Sequence, residues 1–256
     1  MENDSRLVMD NIVYDIRWTS ELDEKFICDF LYIQNEVFKC GTRQEFKRQY
    51  EENIYGESIL VVVYLDKNPV AARGLWRNDL NGKEAYQPGS TCVLPICRGK
   101  GIFTEMTKRA INLLPTDVVI YNFPNSNSYP GYIKMGWHLV RDYKIRLYSS
   151  YSQFVKEHPI MLDYRYAKWW LVGKPLTYTY IRGHYFLLQK DRRTFCYRIL
   201  AEVDKETALL FSRCKLGIIF YKSIRTTWYN KLLASSHVVS KNLNIDYIPT
   251  WKIDAV

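Results

Sequence analysis

The run Cys97-Arg98-Gly99-Lys100-Gly101-Ile102-Phe103 holds the residue types best suited to chemistry in this chain. Two glycines and two cations lie between an extended-looking segment, residues 91–95, and a helix-like one, residues 104–111. Glycine tolerates positive φ and lets the backbone approach a ligand closely. The first N–H groups of a helix have no internal acceptor and point toward an anion. The main-chain N–H groups of Gly99, Lys100, Gly101, Ile102 and Phe103 therefore read as an anion cradle, with the Arg98 and Lys100 side chains adding charge.

Other residues could move protons. Tyr132 precedes Gly136-Trp137 at a fixed spacing. A phenol titrates near pH 10 and can protonate a stronger base; the other reading of Tyr132 is an aromatic that packs a helix against a sheet. Asn125 suits a helix N-cap, a ligand contact, or both, and Ser128 lies in the same segment. Glu84, Glu36 and Gln87 are the candidates for a general base, although solvated surface is the ordinary place for such glutamates. His138, His158, His184 and His237 stand apart in the sequence with no neighbouring acid and read as ordinary surface or core histidines. Ser126, Ser128 and the pair Ser235-Ser236 lack a nucleophile-elbow context. Trp169-Trp170 and Tyr164, Tyr166, Tyr178 and Tyr180 interleave with Arg165, Lys168 and Lys174. Such a pattern can stack a nucleotide, a sugar or nucleic acid, or it can be strand core and rim, which is the weightier reading.

These residues need elements to position them. The chain has 256 residues and is 47% hydrophobic, enough for one large or two small domains. Its apolar runs, such as Ile59-Leu60-Val61-Val62-Val63, are too short to span a bilayer. The polar, acidic start Met1-Glu2-Asn3-Asp4-Ser5 does not read as a secretory signal. Six scattered cysteines without a Cys-x-x-Cys or Cys/His spacing read as reduced thiols of a cytoplasmic protein, with no metal site. Residues 1–150 balance 19 basic against 19 acidic side chains, whereas residues 151–256 carry 17 against 8, so the whole +9 excess lies there. That half favours an anionic partner, or is a solvated basic surface.

Hydrophobic spacing predicts strands at 13–18, 58–65, 70–77, 85–94, 117–121 and 137–147. It predicts helices at 21–39, capped by Thr19 or Ser20, and at 43–53, 103–114 and 126–134. Residues 79–83 form a hairpin connection. Later strands are expected at 178–181, 185–189, 195–203, 216–221 and 247–253, with helices at 205–214 and 226–233. The order β-α-α-β-β-β-α-β-α-β gives an α/β fold with a mixed sheet. Part of that order is expected to recur after residue 149, without a glycine cradle. The expected division is 1–148 and 149–256, with the boundary within 149–159.

On these residues the chain resembles the GNAT acyltransferase superfamily. Its signature is Arg/Gln-x-x-Gly-x-Gly/Ala between the fourth strand and third helix. Arg98, Gly101 and Ile102 fit it, with Phe103 at the last small position. Tyr132, Gly136 and Trp137 fit the later Tyr-x-x-x-Gly-Phe element. The segment Phe123-Pro124-Asn125-Ser126-Asn127-Ser128-Tyr129 resembles a bacterial subgroup found with surface-polysaccharide genes, in which Arg-Gly-x-Gly-Ile-Phe is common. The resemblance covers residues 12–147.

It implies a GNAT fold, in tandem with a degenerate GNAT-like C-terminal half that completes the acceptor cleft. It implies acetyl-CoA (coenzyme A) as cofactor, with its pyrophosphate on the cradle and its pantetheine arm along the strand ending at Val93 and Leu94. Asn125 and Ser128 would also contact the cofactor. A backbone N–H near Val93 or Leu94 would stabilise the oxyanion, and Tyr132 would be the general acid. The activity implied is N-acetyl transfer to a small-molecule amine by direct attack; the positive charge of the C-terminal half would suit an anionic acceptor such as a nucleotide-linked amino sugar, and nucleic acid is not an expected partner. The alternatives are a non-catalytic GNAT-fold binding protein and a tandem-GNAT aminoacyltransferase of cell-wall synthesis.

Overall fold

The computed structural model describes residues 11–80, 82–148, 151–158, 161–192, 195–215, 217–223 and 235–242. The chain forms two compact units, Met1–Asp79 with Glu84–Ile120, and Leu80–Lys83 with Tyr121–Val256.

In the first unit β1 (Ile12–Trp18), β2 (Ile59–Leu65), β3 (Asn68–Arg77) and β4 (Ala85–Val93) pair antiparallel in that order. The strand β5 (Val119–Asn122) joins β4 in parallel. Ile59 to Val63 are fully buried, as a strand covered on both faces must be. One face carries α1 (Glu24–Phe38) and α2 (Arg43–Phe46), which continues as a wider turn through Lys47–Glu51. Phe30, Phe46 and Tyr50 pack edge-on or tilted where these helices meet. The other face carries α3 (Ile102–Ile111).

The helix α1 starts later than the spacing predicts. Thr19–Glu21 form a tight 3-10 turn, in which Glu21 accepts from the Trp18 N–H at 2.9 Å. The cap is Asp23, accepting from the Phe26 N–H at 2.8 Å, while the Thr19 hydroxyl accepts from Ser58 on the way into β2.

In the second unit the strand order is β12-β6-β11-β9-β8-β7-β10. Here β7 (Leu176–Ile181), β8 (His184–Lys190) and β9 (Cys196–Val203) form an antiparallel meander. β11 (Ile218–Ser223) lies parallel to β9 and antiparallel to β6 (His138–Leu147), and β6 also pairs with β12 (Ser235–Lys241). Three meandering strands, a helix, then a strand parallel to the third describes both β2–β5 and β7–β11. In the second case the helix is the short α7 (Lys205–Ala208), capped by Asp204 with no glycine turn before it.

The expected helix over 205–214 is corrected. It ends at Ala208, and β10 (Ser212–Arg213) instead extends the sheet beside Thr177 and Tyr178 of β7. Residues Tyr151–Glu157 form α5, and Tyr164–Tyr166 form α6, which continues through Leu171; neither was expected. Phe154 of α5, Phe186, Leu188, Ile199 and Tyr221 make the unit's buried cluster. The predicted helix at 226–233 and strand at 247–253 lie outside the described residues. All six cysteines are free thiols, and no metal-binding cluster occurs among the described residues. No helix among those residues is long and apolar enough to cross a membrane.

Candidate functional site

The cradle is built by the chain's exit from β4. Pro95–Cys97 turn tightly, with the Cys97 N–H on the Leu94 carbonyl. Gly99 and Gly101 then take φ of 75° and 78°. Only glycine adopts that region without strain, and a Cβ at either position would meet nothing within 4 Å. The conformation, not crowding, requires glycine here. Gly101 is the N-cap of α3, and its carbonyl accepts the first helical bond, from Glu105 at 3.0 Å. Among the described residues, the N–H groups of Gly99, Lys100, Gly101, Ile102 and Thr104 have no acceptor. Of these residues, Gly99, Gly101, Ile102 and Thr104 line a cavity of about 310 Å³, together with Val93, Cys97, Arg98 and Phe103. Uncompensated donors at a positive helix end favour a phosphate-like anion.

Arg98 is exposed and does part of its work on the loop itself, its Nε donating to the Val93 carbonyl at 3.1 Å. Lys100 is half-buried. Phe103, first turn of α3, lies under a cation: the Arg73 guanidinium of β3 is 5.1 Å from its ring centre and fully buried. The only sequence signal for Arg73 was a lone charge inside the apolar run 70–76.

Among the described residues, the edge of β4 beyond Tyr86 has no strand partner. Pairing with β5 covers only Ala85 and Tyr86, while β4 runs on to Val93. Its pairing with β3 slips between Ala72 and Gly74, so that Ser90 and Thr91 together oppose Arg73. That extra residue is a β-bulge, with Ser90 at φ 49°. The Leu94 N–H is bound to the Val70 carbonyl at 2.9 Å. Donor directions alternate along an antiparallel strand, so the main-chain groups of Val93 and Thr91 face the free edge. Of the two oxyanion donors considered, Leu94 is therefore engaged in the sheet and Val93 is the one presented. Cys92, on the covered face, is pushed up to about 12 by burial and stays a thiol.

The remaining candidates in the first unit are dispersed. Glu84 is exposed, accepting from the Tyr86 hydroxyl at 3.0 Å and lying 3.4 Å from Arg77. Glu36 is exposed on α1. Gln87 is buried and accepts from Asn78 Nδ2 at 2.8 Å.

In the second unit, α4 (Tyr129–Lys134) positions Tyr132. Tyr132 is buried, its ring meets Trp137 edge-on at 4.7 Å, and its hydroxyl accepts from Asn122 Nδ2 at 2.7 Å. The Tyr-x-x-x-Gly-Trp spacing has a local cause: Gly136 ends α4, and the Trp137 N–H returns to the Tyr132 carbonyl at 3.1 Å. Asn125 Oδ1 accepts from the N–H groups of Asn127 and Ser128 and from the Ser128 hydroxyl. Asn125 thus caps the turn that enters α4.

The histidines are not all isolated, which corrects the sequence expectation. His184 Nδ1 lies 2.9 Å from Glu202, with the ring stacked 3.6 Å from Tyr151. His237 Nδ1 lies 2.7 Å from Asp142, stacked on Tyr129 at 4.3 Å. Each acid comes from a neighbouring strand, so no sequence window holds the pair. Tyr166 and Trp170 are buried core, as the weightier reading of the aromatic stretch has it.

No family model and no curated protein matches the sequence. Solved structures do. A Pyrococcus horikoshii protein assigned as an acetyltransferase is 14% identical with a TM-score of 0.54, over 97% of this chain and 95% of that one. A conserved protein of Enterococcus faecalis V583, given as a probable N-acyltransferase, is 13% identical with a TM-score of 0.53, over 94% and 74%. A GCN5-related N-acetyltransferase from Anabaena variabilis is 14% identical with a TM-score of 0.53, over 90% and 73%. A mixed sheet with a bulged fourth strand, a glycine turn and a helix, together with these likenesses, gives the chain the GNAT fold.

Proposed function

We propose that the chain is an acyl-CoA-dependent N-acyltransferase, moving acetyl from acetyl-CoA to the amine of a small anionic acceptor. The observation that carries this is the cradle: N–H groups of Gly99, Lys100, Gly101, Ile102 and Thr104 that have no acceptor among the described residues, around two positive-φ glycines, beside a 310 Å³ cavity that Val93 also lines. These donors fit a pyrophosphate in charge and number, so the cradle, Lys100 and the outer nitrogens of Arg98 would hold it. Coenzyme A supplies the acyl group as an activated thioester. The chain's own residues supply the rest. The free edge of β4 at Thr91 and Val93 would align the arm, and the Val93 N–H would face the oxyanion that forms as the amine adds. Tyr132, its oxygen fixed by Asn122, would give its proton to the departing sulfur.

Residues 1–148 are proposed as the acyl-CoA domain. Residues 149–256 are proposed as a GNAT-like half that recognises the acceptor, supported by its repeated meander and its positive charge. The subgroup associated with surface-polysaccharide genes, and a nucleotide-linked amino sugar as acceptor, are the finer reading.

Gly101→Val tests the cradle. A β-branched residue at φ 78° is strained, yet its Cβ meets no atom, so the fold should persist. Affinity for acetyl-CoA by calorimetry should fall by more than about tenfold; unchanged affinity rejects the cradle. A second reading is binding without turnover, favoured by Glu84 being tied to Arg77 and Tyr86. Thiol release from acetyl-CoA with a panel of amines separates the two.

A further inference from the structure

The bulge in β4 is held by two side chains from the helices that cover it. Gln34 of α1, 7% exposed, donates through Nε2 to the Ser90 carbonyl and to Cys92 Sγ, the latter at 3.1 Å. Tyr50, 2% exposed, donates to the Ser90 hydroxyl at 3.0 Å. Burial holds the Tyr50 phenol well above its ordinary value, so it stays a donor. Tyr50 reaches Ser90 across Gly74 of β3, where any Cβ would collide with its ring and hydroxyl. Ser90 itself has φ 49°, a left-handed conformation that strains a non-glycine residue. Strain of this kind persists only where the surroundings fix it. Here they do: both main-chain oxygen and side chain of Ser90 are gripped from the same face.

We infer that Gln34 and Tyr50 are positioning residues, which lock the Ser90 bulge and thereby aim the main-chain groups of Thr91 and Val93 along the free edge of β4 at the acyl-carrying arm. This rests on the acyl-CoA reading above. The two residues touch neither the cradle nor its cavity, so the inference separates two parts of one ligand. The pyrophosphate end depends on Gly99 to Thr104. The arm and thioester depend on the bulge, and through it on α1 and the turn after α2.

Two ligands read this out by calorimetry: acetyl-CoA, and ADP, whose pyrophosphate reaches the cradle without an arm. In Gln34→Leu and Tyr50→Phe, the affinity for acetyl-CoA falls about tenfold, the scale of one buried hydrogen bond, while that for ADP stays within about twofold. Adding Ser90→Gly to Gln34→Leu restores most of the loss, because glycine holds positive φ without a clamp. A merely structural role would not be rescued this way. Unchanged acetyl-CoA affinity in both variants overturns the inference, as does a parallel loss for both ligands. Wild-type protein that binds neither ligand overturns the acyl-CoA reading and the inference together. Wild-type binding with unaffected variants overturns the inference alone.

Discussion

At the scale of single residues, packing and proton transfer meet in Tyr132 and can be separated. Tyr132→Phe keeps the ring against Trp137 and removes the hydroxyl held by Asn122. Stability should fall by about 1 kcal/mol. If the phenol is the general acid, kcat should drop about a hundredfold with KM for acetyl-CoA little changed. Thiol-release kinetics beside a denaturant melt check both; an unchanged kcat leaves Tyr132 as packing alone. The types and spacing of Arg98, Gly101, Tyr132 and Gly136 were readable in sequence because each acts through local geometry, a turn or a helix end. Which N–H of Val93 or Leu94 faces outward was not, because the alternation depends on how β4 pairs with β3. The acids beside His184 and His237 were hidden for the same reason: they arrive from other strands.

At the scale of elements, close approach sets two expectations. Gly74→Ala would place a methyl group against Tyr50, the element that grips the bulge. Overpacking of this kind costs about 1–3 kcal/mol, measurable as a lower urea midpoint. The end of α5 gives a pH dependence. His158 is buried between Phe154 and Tyr221, its Nδ1 on the Phe154 carbonyl at 3.0 Å, and burial pushes its pKa below the ordinary value despite nearby Glu157. The unfolded chain takes up that proton near pH 6.5, while the folded chain resists it. Unfolding free energy should therefore fall as pH drops below about 6.5. Urea melts at pH 7.5 and 5.5 check this, and His158→Phe should flatten that part of the profile.

At the scale of the whole molecule, charge is divided: the first 150 residues are balanced and the remaining 106 hold the +9 excess. A field of that sign raises encounter with anionic acceptors and is screened over about 10 Å at 0.1 M salt. With an anionic and a neutral amine of the same shape, the ratio of their kcat/KM values should fall toward one between 50 and 500 mM salt. A salt-independent ratio would make the basic surface irrelevant to acceptor choice.

By itself the sequence determined what adjacent residues decide. Periodicity placed most strands and helices within a few residues, and the glycine turn announced a cradle. Tertiary structure alone decided what distant segments share. Strand β6 lies between β11 and β12, from residues 218–223 and 235–241, and the polar Ser235–Lys241 gave no strand signal until β6 supplied its hydrogen bonds. Ser212–Arg213 leaves an apparent helix because β7 offers an edge. The bulge at Ser90 exists because Gln34 and Tyr50, 56 and 40 residues away in sequence, close on it. A hydrogen bond needs a partner in space, and sequence spacing reports that partner only when it lies within a turn or two of the same element.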